Sequence, residues 1–450
     1  MPPTSSSLTE GGVLRPLLRL ALPFALANIL SQVNLVIDRL WVGRVGTEAL
    51  AALGIAHAAL MVMMTLSMGM AVGTLAGVAR ATGRRRPEDA ARVLGQGLLI
   101  SLGTGSALAA LALFLPRWVM HFMGAEASVS GPAESYLTVC LVGQLVTAPA
   151  MVVTFALQGA GEARAALTVA AVSPLVNTVL DPIFIFSLGL GLAGAAWATV
   201  IATAVALVVG LVVLARGDLA LPMLRRGFIP HGPTSAAILR IGVPGTLEHT
   251  VRTVASFSLV KLLAAFGATV LSAYTSVMVL VMTLILPGIA LGQATASLVG
   301  QNLGAGKPHR AWRTAWISAG LYAAFMAALG LAMVWIGGPL VGAFDSNPEV
   351  IAEGARLVRI LAPCLPFIAL ALVLSKAFAG AGQTLPAMMT AVTAHLVFQI
   401  PAVYLLGRAY GPTGAYWGMA SAFTLHGILS AALYVKRFRP EPEPAAVTEG

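Results

Sequence analysis

Two seven-residue stretches decide the architecture: LQGAGEA at Leu157 to Ala163 and FAGAGQT at Phe378 to Thr384. Each ends a long apolar run with a Gly-Ala-Gly turn, and the two stand 221 positions apart. The same offset links Arg19 and Pro23 to Arg240 and Pro244, Gly46 to Gly267, Gly83 to Gly304, Pro87 to Pro308 and Arg92 to Arg313. Gly194 and Trp197 meet Gly414 and Trp417 at an offset of 220. A single gap over the aligned length marks an internal duplication.

The stretches between these markers are apolar and long. A membrane span needs about 20 apolar residues at a rise of about 1.5 Å each. Twelve such spans are expected, at 17–41, 48–79, 93–115, 132–158, 164–187, 192–215, 236–264, 270–300, 311–335, 349–379, 384–406 and 414–436. Composition agrees: 58% of the 450 residues are hydrophobic, only 10% are charged, and the mean hydropathy is +0.88. An ordinary soluble domain carries about 25% charge. A soluble enzyme, a disordered chain and a disulfide scaffold are therefore excluded. Long unbroken apolar runs also argue against an outer-membrane barrel, which alternates apolar and polar residues. The two cysteines, Cys140 and Cys364, lie inside apolar runs and imply no redox compartment. No cleavable signal pattern is expected, because the first apolar run is too long for one.

The net charge of +10 reads as topology. Of the 27 Lys and Arg residues, 18 fall in one alternating set of loops, which includes both termini, and 6 in the other. Positive residues stay inside, so both termini are expected in the cytoplasm. These arginines lie in short loops rather than on one face, which argues against a nucleic-acid partner. The expected organisation is an N-lobe at 1–215, a cytoplasmic linker at 216–235 and a C-lobe at 236–450. Six spans per half make the repeats parallel, about an axis along the membrane normal. Two bundles with a cleft between them suit a transporter better than a channel, which more often gathers identical subunits around a pore.

Only three acidic residues fall well within spans: Asp38, Asp181 and Glu248. A carboxylate there costs about 3 kcal/mol, so each is a candidate for function. Ser31, Asn34 and Asp38 share one helix face, as do Ser173, Asn177 and Asp181. Pro174 and Pro182 flank the second stripe. Thr199 and Thr203 stand one turn apart in the next span, and the fourth span offers Tyr136, Gln144, Thr147, Thr154 and Gln158. The Ser and Thr residues also suit plain interhelical hydrogen bonding. The second half lacks the pattern: Leu259 aligns with Asp38. It carries Glu248, His249 and Arg252 instead, and the i, i+4 spacing suggests an internal ion pair. Lys261 and Lys376 are expected to snorkel to opposite interfaces. His57, His395 and His426 are expected to be isolated and packed neutral. Methionines in spans two and eight suit either a pliable pocket or gap-filling. Gly189-x-Gly191-x-x-Gly194 matches a dinucleotide fingerprint, but no strand precedes it, so it reads as a turn.

The chain resembles the multidrug and toxic compound extrusion (MATE) family, its prokaryotic DinF-like branch above all. The resemblance rests on LLRLALPFALANILSQVNLVIDRLWVGRVGTEALAALGIA near the start, VNTVLDPIFIFSLGLGLAGAAWATVIA at Val176 to Ala202, the two Gly-Ala-Gly turns, and LVGQNLGAGKPHRA after span eight. It implies an all-α integral membrane protein, with twelve helices in two six-helix lobes related by a pseudo-twofold repeat. It implies no enzymatic activity and no cofactor. The implied function is export of amphipathic, cationic small molecules from the bacterial inner membrane, by a monomer coupled to H⁺ or Na⁺. The implied ion site is Asp38, Asn177, Asp181 and Thr199, where Na⁺ would find oxygen ligands. Asn34 shares the stripe of Asp38, Tyr136 fits the pattern, and Pro23 is the implied bending point of the first span. A lipid-linked oligosaccharide flippase of related fold is the alternative.

Overall fold

The structure is a computed structural model that describes residues 6–124, 126–217, 220–222 and 225–440. Residues 218, 219, 223 and 224 of the expected linker lie outside the described residues, as do the chain ends of the two expected lobes. The described residues are helical throughout, without a strand.

A four-residue helix α1 (Ser6–Thr9) precedes the first long helix, α2 (Leu14–Gly43). Then come α3 (Thr47–Gly83), α4 (Pro87–Leu111), the short α5 (Leu115–Met123), α6 (Ala127–Val142), α7 (Gln144–Ala160), α8 (Ala163–Pro182) and α9 (Gly191–Ala215). The second half holds α10 (Gly232–Ala264), α11 (Ala268–Gly304), α12 (Pro308–Gly342), α13 (Pro348–Leu361), α14 (Leu365–Gly380), α15 (Thr384–Ala391) and α16 (Ile400–Phe438). Among the described residues, eight helices are long and apolar enough to cross a membrane, and ten when two bent pairs each count as one span. The protein is thus an all-α, multi-pass membrane protein. Helix α10 is not among the eight, since Arg240, Glu248, Arg252 and Lys261 interrupt its apolar character. One of the eight is a 55-residue rod, Thr384–Phe438, broken by non-helical backbone at Tyr410 and Gly411.

Helix boundaries repeat the sequence offset. Helices α3 and α11 begin and end 221 positions apart, and α4 and α12 both open on a proline. Proline suits that first turn because its missing N–H would have no partner there. Gly161 (φ 82°) and Gly382 (φ 65°) hold matching left-handed turns. A side chain at either would be strained, which explains the two Gly-Ala-Gly stretches. The third span starts earlier and ends earlier than its expected bounds of 93–115, because the helix breaks after Leu111 and restarts as α5. The fourth bends by 50° near Gly143.

The halves join at the end that carries these turns. The Gln301 amide donates to Gly159 O (2.9 Å), and Ser297 Oγ donates to Gln158 O (2.8 Å). Gly83 lies against the Gln301 carbonyl and Gly304 against the Arg80 carbonyl, with no room for a Cβ. Further along the rods, Thr246 Oγ1 donates to Thr65 O at 3.2 Å. The large apolar core draws on both halves. A second cluster, around Val42, Leu53, Leu137 and Leu192, draws on the first half alone. It sits at the far end of those helices, where α2 meets α3 and α8 meets α9.

Candidate functional site

Helices α2, α8 and α9 bring the expected polar residues together. Helical spacing stacks Asn34 over Asp38 and Asn177 over Asp181, one turn apart. Asn34 Nδ2 donates to both Asp38 oxygens (3.3 and 3.2 Å) and across to Asn177 Oδ1 (2.7 Å). Asn177 Nδ2 donates in turn to Asp181 Oδ1 (3.0 Å) and reaches Thr199 Oγ1 at 3.4 Å. Thr199 donates its own hydroxyl to Ala195 O at 3.0 Å. Asp181 is 0% exposed and Asn177 1%; Asp38 and Thr199 are half-buried.

Asp181 Oδ2 and Asn34 Oδ1 are buried, and no protein N–H or hydroxyl donates to them. The two aspartate carboxyls also lie within hydrogen-bonding reach of each other. Two carboxylates in such contact repel unless a proton or a cation sits between them. Hard cations take oxygen ligands, and the ring offers carboxylate, amide and hydroxyl oxygens. Among the described residues no group of three His, Cys, Asp or Glu side chains could hold a metal ion.

Tyr136 is half-buried beside this ring, in electrostatic range of Cys140 and of both aspartates. The nearness of Cys140 was not foreseen, though its i, i+4 spacing from Tyr136 could have suggested it. Pro23 lies within α2, which runs unbroken from Leu14 to Gly43. Pro23 has no N–H to give the preceding turn. Other residues of the polar stripes stay apart. Ser31 and Thr154 bond their own backbones, Gln144 pairs with Ser67, and Ser173 meets Thr203.

In the second half the expected ion pair is present: Glu248 Oε1 lies 2.6 Å from Arg252 Nη2. Ser375 Oγ donates to both Glu248 oxygens at 2.7 and 2.9 Å. Two expectations need correction. Lys376 does not snorkel to the interface but lies inside the bundle, in the electrostatic field of Glu248 and Arg252. His395 and His426 are not isolated, because the bend near Gly411 folds their helices together: His395 Nε2 and His426 Nδ1 are 3.1 Å apart.

Known proteins match over nearly the whole chain. The chain is 27% identical over 430 residues to "Probable multidrug resistance protein YpnP" of Bacillus subtilis (strain 168), covering 95% of this chain and 96% of the relative. It is 27% identical to "Probable multidrug resistance protein NorM" of Deinococcus radiodurans, covering 97% and 98%. A solved MATE structure in the bent conformation superposes with a TM-score of 0.91 at 24% identity, over 97% of this chain and 98% of the other. The family model described as MatE matches twice, at residues 23–183 and 244–405, once in each half. Those two matches cover most of the chain and start at the two equivalent prolines, Pro23 and Pro244: the chain belongs to the MatE family, whose members are membrane transporters and not enzymes.

Proposed function

We propose that this protein is a cation-coupled antiporter of the DinF-like branch, exporting amphipathic, cationic small molecules across the bacterial inner membrane. The observation that carries this reading is the Asn34–Asp38–Asn177–Asp181–Thr199 ring. It is buried, acidic and short of donors. The proposal takes the chain as twelve spans in two lobes, 1–215 and 236–450, joined at 216–235. It counts each bent pair as one span, divides the last rod at Gly411 and takes α10 as a span despite its charges. Both termini are cytoplasmic in this reading, and the unit is a monomer.

The cycle follows from the ring's chemistry. With the cleft open outward, the Asp38–Asp181 pair takes up H⁺ or Na⁺ from outside. Neutralisation removes the attraction for a bound cation, which leaves. It also changes the hydrogen bonds that tie α2 to α8, and α2 then bends at Pro23, where the backbone lacks a hydrogen bond. The lobes rock, and the ion is released to the cytoplasm. The relatives named for multidrug resistance support the substrate class. A flippase for a polyanionic lipid-linked sugar would find repulsion at this acidic ring.

The test is transport of ethidium in vesicles containing the purified protein, with an imposed H⁺ or Na⁺ gradient. Gradient-dependent ethidium movement that Asp38→Asn abolishes is expected. Equal movement with no gradient, or with Asp38→Asn, overturns the reading.

A further inference from the structure

The second half encloses a cavity of about 150 Å³ between α10, α11, α14 and the two arms beyond residue 384. Its walls are mostly apolar, with Met278, Ile285 and Phe423 among them. Polar side chains also reach it: Ser256, Tyr274 and His395, and beside them the three on which binding turns, Arg252, Gln399 and His426. Gln399 is 1% exposed and His426 3%. Each of the three has a buried nitrogen without a partner, namely Arg252 Nε, Gln399 Nε2 and His426 Nε2. A buried polar atom left unpaired is costly, so three around one cavity mark a place where something binds.

The hydrogen-bond chain fixes what these atoms offer. Gln399 Oε1 can only accept, so His395 Nδ1, 2.8 Å away, carries a proton. With that ring neutral, His395 Nε2 accepts from His426 Nδ1. A neutral His426 then turns a bare Nε2 to the cavity. Through its unpartnered atoms the site therefore presents two donors, from Arg252 and Gln399, and one acceptor, from His426. A carboxylic acid group matches this set: its carbonyl oxygen accepts from the two donors and its O–H donates to His426. Transfer of that proton to Nε2 leaves a carboxylate facing an imidazolium. The surrounding charge agrees. Arg252 and Lys376 stand against Glu248, with His249 on α10 and Tyr274 on α11 also near. On α13, Glu353 is held by Arg356 well up the bundle, beside Tyr416. His395 and Gln399 both belong to the π-helical stretch Val392–Gln399, and π-turns recur at functional sites.

We infer that this cavity is a second binding site, which takes the carboxyl head of an apolar small molecule through Arg252, Gln399 and His426. It goes beyond the antiport reading and uses none of the residues assigned to ion coupling.

Calorimetric titration of 4-phenylbutyrate into the purified full-length protein, without any gradient, tests this directly. Saturable binding of one molecule per chain is expected, with 4-phenylbutylamine at least tenfold weaker. Gln399→Met and His426→Phe each weaken binding at least tenfold. Ala255→Leu fills the cavity from an apolar wall without touching a polar group, and it too weakens binding at least tenfold. Thermal melting checks each variant for folding, and Ala255→Leu carries the test if His426→Phe does not fold. Asp38→Asn retains full binding. No saturable binding to the wild type, wild-type affinity in Ala255→Leu, or loss of binding in Asp38→Asn overturns the inference. Because no gradient is used, failure of the vesicle assay for export leaves this result intact.

Discussion

Asn34 on α2 donates its side-chain amide to Asn177 on α8 at 2.7 Å, across 143 positions of sequence. That one bond joins two aspartates into a single electrostatic unit, since each asparagine also donates to the carboxylate one turn along its own helix. Any change in the charge of one aspartate is felt through the amides by the other.

The two acidic clusters respond differently to substitution. Asp38→Asn keeps the side-chain shape and removes the charge that must be gained and lost, so ethidium export falls to background while protein level and melting temperature stay near wild type. Glu248→Ala leaves the half-buried Arg252 without its partner, which costs about 1–3 kcal/mol. It therefore lowers the melting temperature clearly, with a smaller loss of export per folded molecule. Export assays and thermal melts on both variants decide this. Normal export by Asp38→Asn sinks the N-half coupling model.

Asn177→Leu removes the residue that donates to Asp181 and accepts from Asn34. Asp181 loses its donor and Asn34 loses its tie to α8, and the expected outcome is at least a tenfold fall in gradient-driven export. Thr199→Ala deletes a 3.4 Å contact from Asn177 and the hydroxyl's own bond to Ala195 O, and a milder fall is expected. Equal effects of the two would argue against Asn177 as the hub of the ring.

Gly83→Val puts a side chain against the Gln301 carbonyl, in a contact between the halves with no space for it. The turn-bearing ends can then no longer close. Cysteine pairs placed across that junction, at Arg84 and Ala305, should cross-link in a wild-type background and fail to do so with Gly83→Val. Undiminished cross-linking would show that the junction is softer than its geometry implies.

Topology is checked by single cysteines in a background without Cys140 and Cys364. A membrane-impermeant maleimide added outside cells should label Phe122→Cys, at a residue 75% exposed, and miss Arg85→Cys. The opposite pattern reverses the orientation.

The residues themselves carried the helical membrane class and the duplication, because both depend on local properties. Twenty apolar residues in a row need no tertiary partner to be read as a span. A turn that demands left-handed backbone, as at Gly161 and Gly382, leaves a glycine at both equivalent positions. The polar stripes were legible for the same reason: Asn34 with Asp38 and Asn177 with Asp181 follow from helical spacing alone. That these stripes meet each other was an inference from the cost of burying them, and the bond between Asn34 and Asn177 required the packing of α2 on α8. The cluster in the second half was out of reach. His395 and His426 stand 31 residues apart on two arms of a broken rod, and nothing local predicts that the break at Gly411 brings their rings together. Helical period and hydropathy act over a turn or a span, whereas the pairing of side chains from different helices depends on crossing angles and bends set by the whole core.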